Sequence, residues 1–358
     1  MTNRERFIRC SLGQSTDRGV FWEDRLWSET RARWRSEGMT ENFEFGYDFY
    51  ESESHSALNV DYGYLPHFEE KVLEDLGNKL HIIDQYGVEK LVMKDNPGLQ
   101  HFLKYPVENR RDWEKLSARL DADNPGRFGE GWIEKAKNTE ASGSAPLTLG
   151  GGHLCGFFSF LRETMGDNCY YHIYDEPELI RDMLQFQEDR ICKMIMKTTE
   201  HVKIDRLFIW EDMCYKTGPL IGPEMFGELL TPHYSRLIKT AKNCGVKVID
   251  VDSDGMIDSL IPLWLEAGVN MIHPFEVQAG MDVSAVRKTF GGNFAMRGGV
   301  DKRALAREKK DIDAEIERIR PAYEQGRYIP CADHSVPPDV PFYNYQYYIE
   351  KLKKMIGL

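Results

Sequence analysis

The stretch Val246-Lys-Val-Ile-Asp-Val-Asp-Ser-Asp-Gly255 reads as a buried strand that runs into three acids spaced two apart, Asp250, Asp252 and Asp254. Side chains alternate faces along a strand, so the three project to one side with about 7 Å between neighbours. That much like charge on one face calls for a cation. A metal, an arginine or a cationic substrate would serve, and so would water if the strand has ended by Asp252. The competing reading is an acid-rich loop that caps the following helix.

Other polar residues stand where strand-like runs end. His153 follows Gly150-Gly-Gly and is the candidate cofactor contact; Glu211 and Asp212 close Asp205-Arg-Leu-Phe-Ile-Trp210. One of these two acids must point inward, as a general base or held by a neighbouring arginine. His273 precedes a proline and could hydrogen-bond a substrate or sit satisfied in the core. Arg297 precedes Gly298-Gly299, which permits close approach of a backbone or a ligand and suits an arginine that binds a carboxylate or phosphate. Asp252, Asp254 and His334 offer two carboxylates and an imidazole, a ligand set for Zn²⁺, Fe²⁺ or Mn²⁺ with a position left for substrate. The alternative has Asp252 capping a helix and His334 bonded to a loop carbonyl. Cys331 reads as packing rather than a thiolate ligand.

The elements that must position these residues follow a changing rhythm. Residues 1–145 contribute a helix from Asn3 to Leu12, a strand-like run Gly19–Trp22 and a helix from Trp27 to Gly38 with Arg31, Arg33 and Arg35 on a solvated face. A helix from Phe68 to Leu76 follows, then a hairpin of His81–Asp84 with Val88–Met93, a turn at Asp95–Gly98, a helix within Pro106–Leu120 and polar linkers at 122–131 and 139–144. From Pro146 onward strands alternate with helices of ten or more residues, the pattern of βαβ units and parallel strands. Helices are expected over 157–165, 177–201, 223–244, 256–267, 283–289 and 302–325, between strands at 146–149, 205–210, 246–252, 270–273, 293–297 and 328–331. Gly150–Gly152 lacks the spacing of a dinucleotide-binding loop. Polar residues at the C-terminal ends of successive strands instead favour an α/β (β/α)8 TIM barrel, a single domain over 1–358 with an N-terminal helical and hairpin extension, whose mouth gathers the site.

The chain has 358 residues, 41% hydrophobic and 29% charged, with a formal net charge of −12. Such a balance repels nucleic acid and anionic membranes and leaves a small-molecule substrate as the default. The N-terminus has no apolar stretch of signal-peptide length, and no run of eighteen apolar residues occurs. Seven cysteines without a CxxC pair suit a reducing compartment, so a cytoplasmic location is expected. A homodimer is compatible with the sequence and is not required by it.

From Pro146 to the C-terminus the chain resembles the uroporphyrinogen decarboxylase superfamily, which includes cobamide-dependent methyltransferases. The resemblance rests on Asp175-Glu-Pro-Glu-Leu179, Gly222-Pro-Glu-Met-Phe226, Leu230-Thr-Pro-His-Tyr234, Val251-Asp-Ser-Asp-Gly255, Leu265-Glu-Ala-Gly-Val269, Pro274-Phe-Glu276, Gly280-Met-Asp282 and Arg297-Gly-Gly-Val-Asp301. It implies a (β/α)8 barrel. In the thiol-activating methyltransferases of that superfamily zinc is bound by His-x-Cys and a distal Cys; here those positions fall on Asp252-Ser-Asp254 and on His334. The N-terminal arginine motif of true uroporphyrinogen decarboxylases is replaced by Trp22-Glu-Asp-Arg-Leu-Trp27. The resemblance therefore implies a metal-dependent methyltransferase, with Zn²⁺ the first metal to consider, moving a methyl group between a small substrate and a corrinoid carried by a partner protein. A decarboxylase-like lyase acting on a carboxylated tetrapyrrole or another small organic acid is the alternative.

Overall fold

A computed structural model describes residues 1–23, 26–40, 52–53, 56–95 and 98–358. Its centre is a parallel sheet of seven strands: β1 Ser56–Ala57, β2 Leu147–Gly150, β3 Arg206–Trp210, β4 Val248–Asp252, β5 Met271–His273, β6 Ala295–Val300 and β7 Tyr328–Ala332. Each strand pairs with the next in chain order, as βα units with a covering helix require. The strands are rich in Val, Ile, Leu and Met and are buried almost throughout, as parallel strands covered on both faces are. An α/β fold is therefore what the alternation from Pro146 onward encodes: its six expected strands are present, and Ser56–Ala57, which was not anticipated, is the seventh strand of the sheet among the described residues.

Two devices hold the sheet's ends. At the N-terminal end, the helix Asn3–Ser11 is opened by a Thr2–Glu5 capping box, in which each side chain satisfies a backbone N–H of the first turn. It lays Phe7 against Trp22, with ring centroids 5.4 Å apart. Phe7, Val20 and Trp22 then pack on Val248, Met271, Ala295 and Ile329, an apolar plug beneath the strands. Outside, the helix Pro177–Thr199 packs on Thr231–Asn243, and the last helix, Phe342–Ile356, buries Tyr345 and Tyr348.

Several elements differ from expectation. Phe68–Leu76 is not a helix: Lys71–Asp75 is a strand that pairs with Lys79–Ile83 and extends the expected hairpin to an antiparallel meander with Glu89–Met93 and Gln100–Lys104. Gly77, at φ +84°, turns the chain there, with its N–H donating to Asp75 Oδ1, so strand pairing overrides the helical propensity of the local sequence. The helix Trp132–Ser142 takes up much of the expected linker at 139–144. Expected single helices are split, into Pro223–Leu229 with Thr231–Asn243 and Lys302–Leu305 with Lys309–Glu324, while the helix after β4 starts only at Ile261. Gly19–Trp22 is not a paired strand. Asn96 and Pro97 of the expected turn, and Asp24 and Arg25 of the Trp22–Trp27 stretch, lie outside the described residues. Among the described residues no helix is long and apolar enough to cross a membrane.

Candidate active site

The C-terminal ends of the strands open into a cavity of ≈ 390 Å³. Seven of the eight residues singled out in the sequence border it: His153, Asp212, Asp252, Asp254, His273, Arg297 and His334, while Glu211 does not.

The floor is built by strand alternation. Along β3, Arg206, Phe208 and Trp210 share a face, and β4 brings Asp250 and Asp252 beside them, with Asp250 in register with Phe208 and Asp252 with Trp210. Asp250 is fully buried and accepts from Arg206 Nε at 2.7 Å; the other oxygen faces His273 Nδ1 at 2.9 Å. Burial pushes the Asp250 carboxyl up, but Arg206 and His273 outweigh it and hold it well below the usual range. The three-acid ladder thus splits. Asp250 is a neutralised structural partner, while Asp252 and Asp254 reach the cavity.

His273 is 2% exposed, and burial together with Arg297 pulls it down to about 4. It is neutral at pH 7, with Nε2 3.7 Å from Asp252 Oδ1. Arg297 lies with its guanidinium 5.1 Å from the centroid of the Trp22 ring, and Arg206 lies 5.2 Å from the same ring and 4.3 Å from Phe208. Gly298 does admit a close approach, by backbone: at φ +104° a Cβ there would meet Pro274 O at 2.0 Å.

The rim carries the remaining groups. His334 Nε2 is 3.3 Å from Asp254 Oδ2, and both side chains are about one-third exposed. The hydrogen bond to Asp254 raises the imidazole above its ordinary value despite burial. Burial, then the charge of Asp254, pushes Asp212 up; its φ of +43° and the Arg162 guanidinium donating to its carbonyl fix the turn. The His153 ring lies 4.3 Å from that of Tyr86, tilted by 57°, and pairs through Nδ1 with Glu163. Neighbouring Asp333, fully buried and pushed up to about 6 by burial, ties two loops by accepting from Val277 N at 2.8 Å and Lys302 N at 3.2 Å.

Two expectations change. Glu211 is 0% exposed, and its carboxylate accepts from Phe157 N at 2.7 Å, Ser159 N at 2.9 Å and the Tyr234 hydroxyl. Its two backbone donors sit at the start of the helix Phe158–Met165 and the third on the helix Thr231–Asn243, so its carboxylate ties these two helices to the end of β3 and does not border this cavity. The metal set is not gathered either: among the described residues no three His, Cys, Asp or Glu side chains are grouped to hold a metal ion. Asp254 and His334 face each other, whereas Asp252 lies toward His273. Trp22, Arg206, Phe208 and Trp210 were not anticipated. An arginine two residues from Phe208 and four from Trp210 in an otherwise apolar strand was the available signal.

No curated protein matches the chain in sequence. Among solved structures, a methyltransferase from Methanosarcina mazei is similar over 99% of both chains, with 12% identity and a TM-score of 0.65, a likeness of fold. A B12-independent methionine synthase from Shewanella sp. W3-18-1 covers 84% of this chain and 75% of its own, at 11% identity and a TM-score of 0.40. The family model of uroporphyrinogen decarboxylase matches residues 136–355, more than half of the sequence and all strands from β2 to β7. The chain belongs to the uroporphyrinogen decarboxylase family.

Proposed function

We propose that the protein is a methyltransferase that moves a methyl group between a small substrate and a corrinoid carried by a partner protein. The observation that carries this reading is the meeting of Asp254 and His334 on one cavity, 3.3 Å apart. They stand at positions that hold metal and activate a thiol in related methyltransferases, and the Methanosarcina mazei methyltransferase shares the fold over its full length. A bound corrinoid supplies the centre that exchanges the methyl group.

The chain's own residues then have two tasks. Arg206 and Arg297 bind and orient the substrate from the floor. The Asp254-supported imidazole of His334 gives a proton to the heteroatom that keeps the electron pair of the breaking bond to the methyl carbon, and takes one from it in reverse. Asp212, whose carboxyl is also pushed up, is the second group able to hold that proton.

A divalent ion, Zn²⁺ first, is proposed at Asp252, Asp254 and His334 on condition that Asp252 leaves His273; with that ion bound, His334 would be a ligand and Asp212 the group that holds the proton. Elemental analysis of protein purified without chelators tests this, and persistent absence of metal after reconstitution removes it. Methyl transfer itself is tested by adding a reduced corrinoid protein and a panel of methylated amines, ethers and thiols, with the corrinoid's visible absorption as the readout. No change with any donor overturns the reading.

The paired arginines favour one second reading, a decarboxylase-like lyase in which they hold a carboxylate. Release of CO₂ from small organic acids or a carboxylated tetrapyrrole is its test; the ≈ 390 Å³ cavity supports the smaller acids. We also propose that the chain is one domain and that Val20–Glu23 completes an eight-stranded barrel between β7 and β1. Glu53 N donates to Phe21 O at 2.5 Å, and Leu26 forms a parallel bridge with Val336. A cytoplasmic location is supported by seven cysteines that are all free. Whether the protein pairs as a homodimer is a matter for sedimentation.

A further inference from the structure

A second chamber adjoins the central cavity. It measures ≈ 270 Å³, with Val88, Lys90 and Phe102 contributed by the meander and Ser159, Arg162 and Glu163 by the helix Phe158–Met165. His153, Trp210 and Asp212 border both spaces. Rings make up much of its wall. Phe102 and Tyr105 have their centroids 5.8 Å apart, and His153 stands 6.0 Å from Trp210, edge to face. Gly166, at φ +61°, lets Tyr105 close on the backbone, since a Cβ there would meet the Tyr105 ring at 2.3 Å. The charges beside these rings are already matched. Lys90 Nζ is 2.8 Å from Asp84 Oδ2, Glu163 pairs with His153, Arg162 donates to the Asp212 carbonyl, and Glu211 accepts from Phe157, Ser159 and Tyr234. Asp167, the remaining acid of the lining, is exposed to solvent.

A charged group entering this chamber would have to displace one of those pairs. An uncharged flat ring leaves all of them intact and gains offset and edge-to-face contacts with the rings around it. We propose that the chamber is a subsite for an uncharged aromatic ring, with the ring's substituent directed to Asp212, where the two spaces meet. The volume fits a single ring: it is just under the about 300 Å³ at which pockets for drug-sized ligands begin, and a tetrapyrrole is too large for it. The substrate class this assigns is a one-ring aryl methyl ether. Only the methyl group on the substituent rests on the methyl-transfer reading. The site for the ring stands without it.

The test is isothermal titration of the full-length protein, without corrinoid, with methoxybenzene and phenol against methoxycyclohexane and cyclohexanol. The saturated pair matches the aryl pair in size and functional group and lacks only the flat ring. Each aryl compound is expected to bind at least about tenfold more tightly than its saturated counterpart. Phe102→Ala and Tyr105→Leu should each weaken aryl binding at least about fivefold by removing one ring contact. Phe102→Tyr should retain it, and Leu73→Ala on the outer strand of the meander should leave it unchanged. Circular dichroism and melting show whether the variants fold, and nuclear Overhauser contacts between the ligand ring and labelled Phe102 and Tyr105 rings locate the ligand in the unsubstituted protein. Equal binding of the saturated compounds, no binding of the aryl compounds, or aryl binding that survives either substitution in a folded variant overturns the proposal, as does the absence of contacts to both rings. Because no methyl transfer is read, failure of the transferase reading leaves the binding result intact.

Discussion

The parallel sheet and the antiparallel meander use strands of similar length to opposite ends. In the sheet nearly every residue is buried, and of its polar residues Arg206, Asp252, His273 and Arg297 line the cavity, with Asp250 pairing Arg206 behind them. In the meander the two outer strands, Lys71–Asp75 and Gln100–Lys104, are exposed along their whole length. There Val72, Leu73, Phe102 and Leu103 are apolar and exposed, and they shape no part of the central cavity. The meander meets the site through Tyr86 on His153. A buried polar group must be matched by a partner or a ligand and so carries functional information, whereas an exposed apolar side chain is ordinary on a protein surface.

The sharpest way to test this contrast is to break the buried pair. Asp250→Ala leaves Arg206 charged and buried without its partner, and should cost about 3–5 kcal/mol in urea unfolding. A matched pair of leucines compares packing alone: Leu149→Ala, in a fully buried strand, should cost about 2–5 kcal/mol in the same assay. On activity, Asp254→Asn should lower turnover about 100-fold by removing the group that supports the His334 imidazole. Methyl-transfer kinetics check this, and a near-wild-type rate would place the proton elsewhere.

A smaller effect is expected on the outer helices. Burial pushes the Glu188 carboxyl up, but hydrogen bonds from Arg236 and His233 outweigh it and leave it below the ordinary value. Its stabilising contribution is thus complete above the unfolded-state value of about 4.5 and fades as pH falls toward the lower folded-state value. Glu188→Gln should flatten the acid limb of a melting-temperature profile by about 1 kcal/mol or less. Smallest of all, Leu73→Ala, at 46% exposure in the meander, should shift stability by under about 0.5 kcal/mol. A loss near that of Leu149→Ala would show that the meander face is covered in solution.

Legibility differed along the chain for identifiable reasons. The strands from Leu147 onward were readable because continuous apolar runs alternate with long amphipathic segments. Lys71–Asp75 was not, since Glu-Glu-Lys-Val-Leu-Glu-Asp carries helical propensity and only pairing with Lys79–Ile83 makes it a strand. Within the site, Asp254 and His334 were found from chemistry at strand ends. Glu211 was placed at a strand end correctly, but its hydrogen-bond partners were not legible, because the N–H groups of Phe157 and Ser159 come from the start of a helix more than fifty residues earlier.

By itself the sequence determined the α/β alternation, the side of the sheet that bears polar tips, and the set of residues from which a site could be made. Those features are local, set by the period of side chains along a strand and by the residues that end it. Tertiary structure decided which acid meets which cation: Asp250 went to Arg206 and His273, Asp254 to His334, and Asp252 toward His273 rather than into a ready metal group. Charges a few ångströms apart pair according to where neighbouring strands place them, and that placement follows from sheet register and burial rather than from spacing within any one strand.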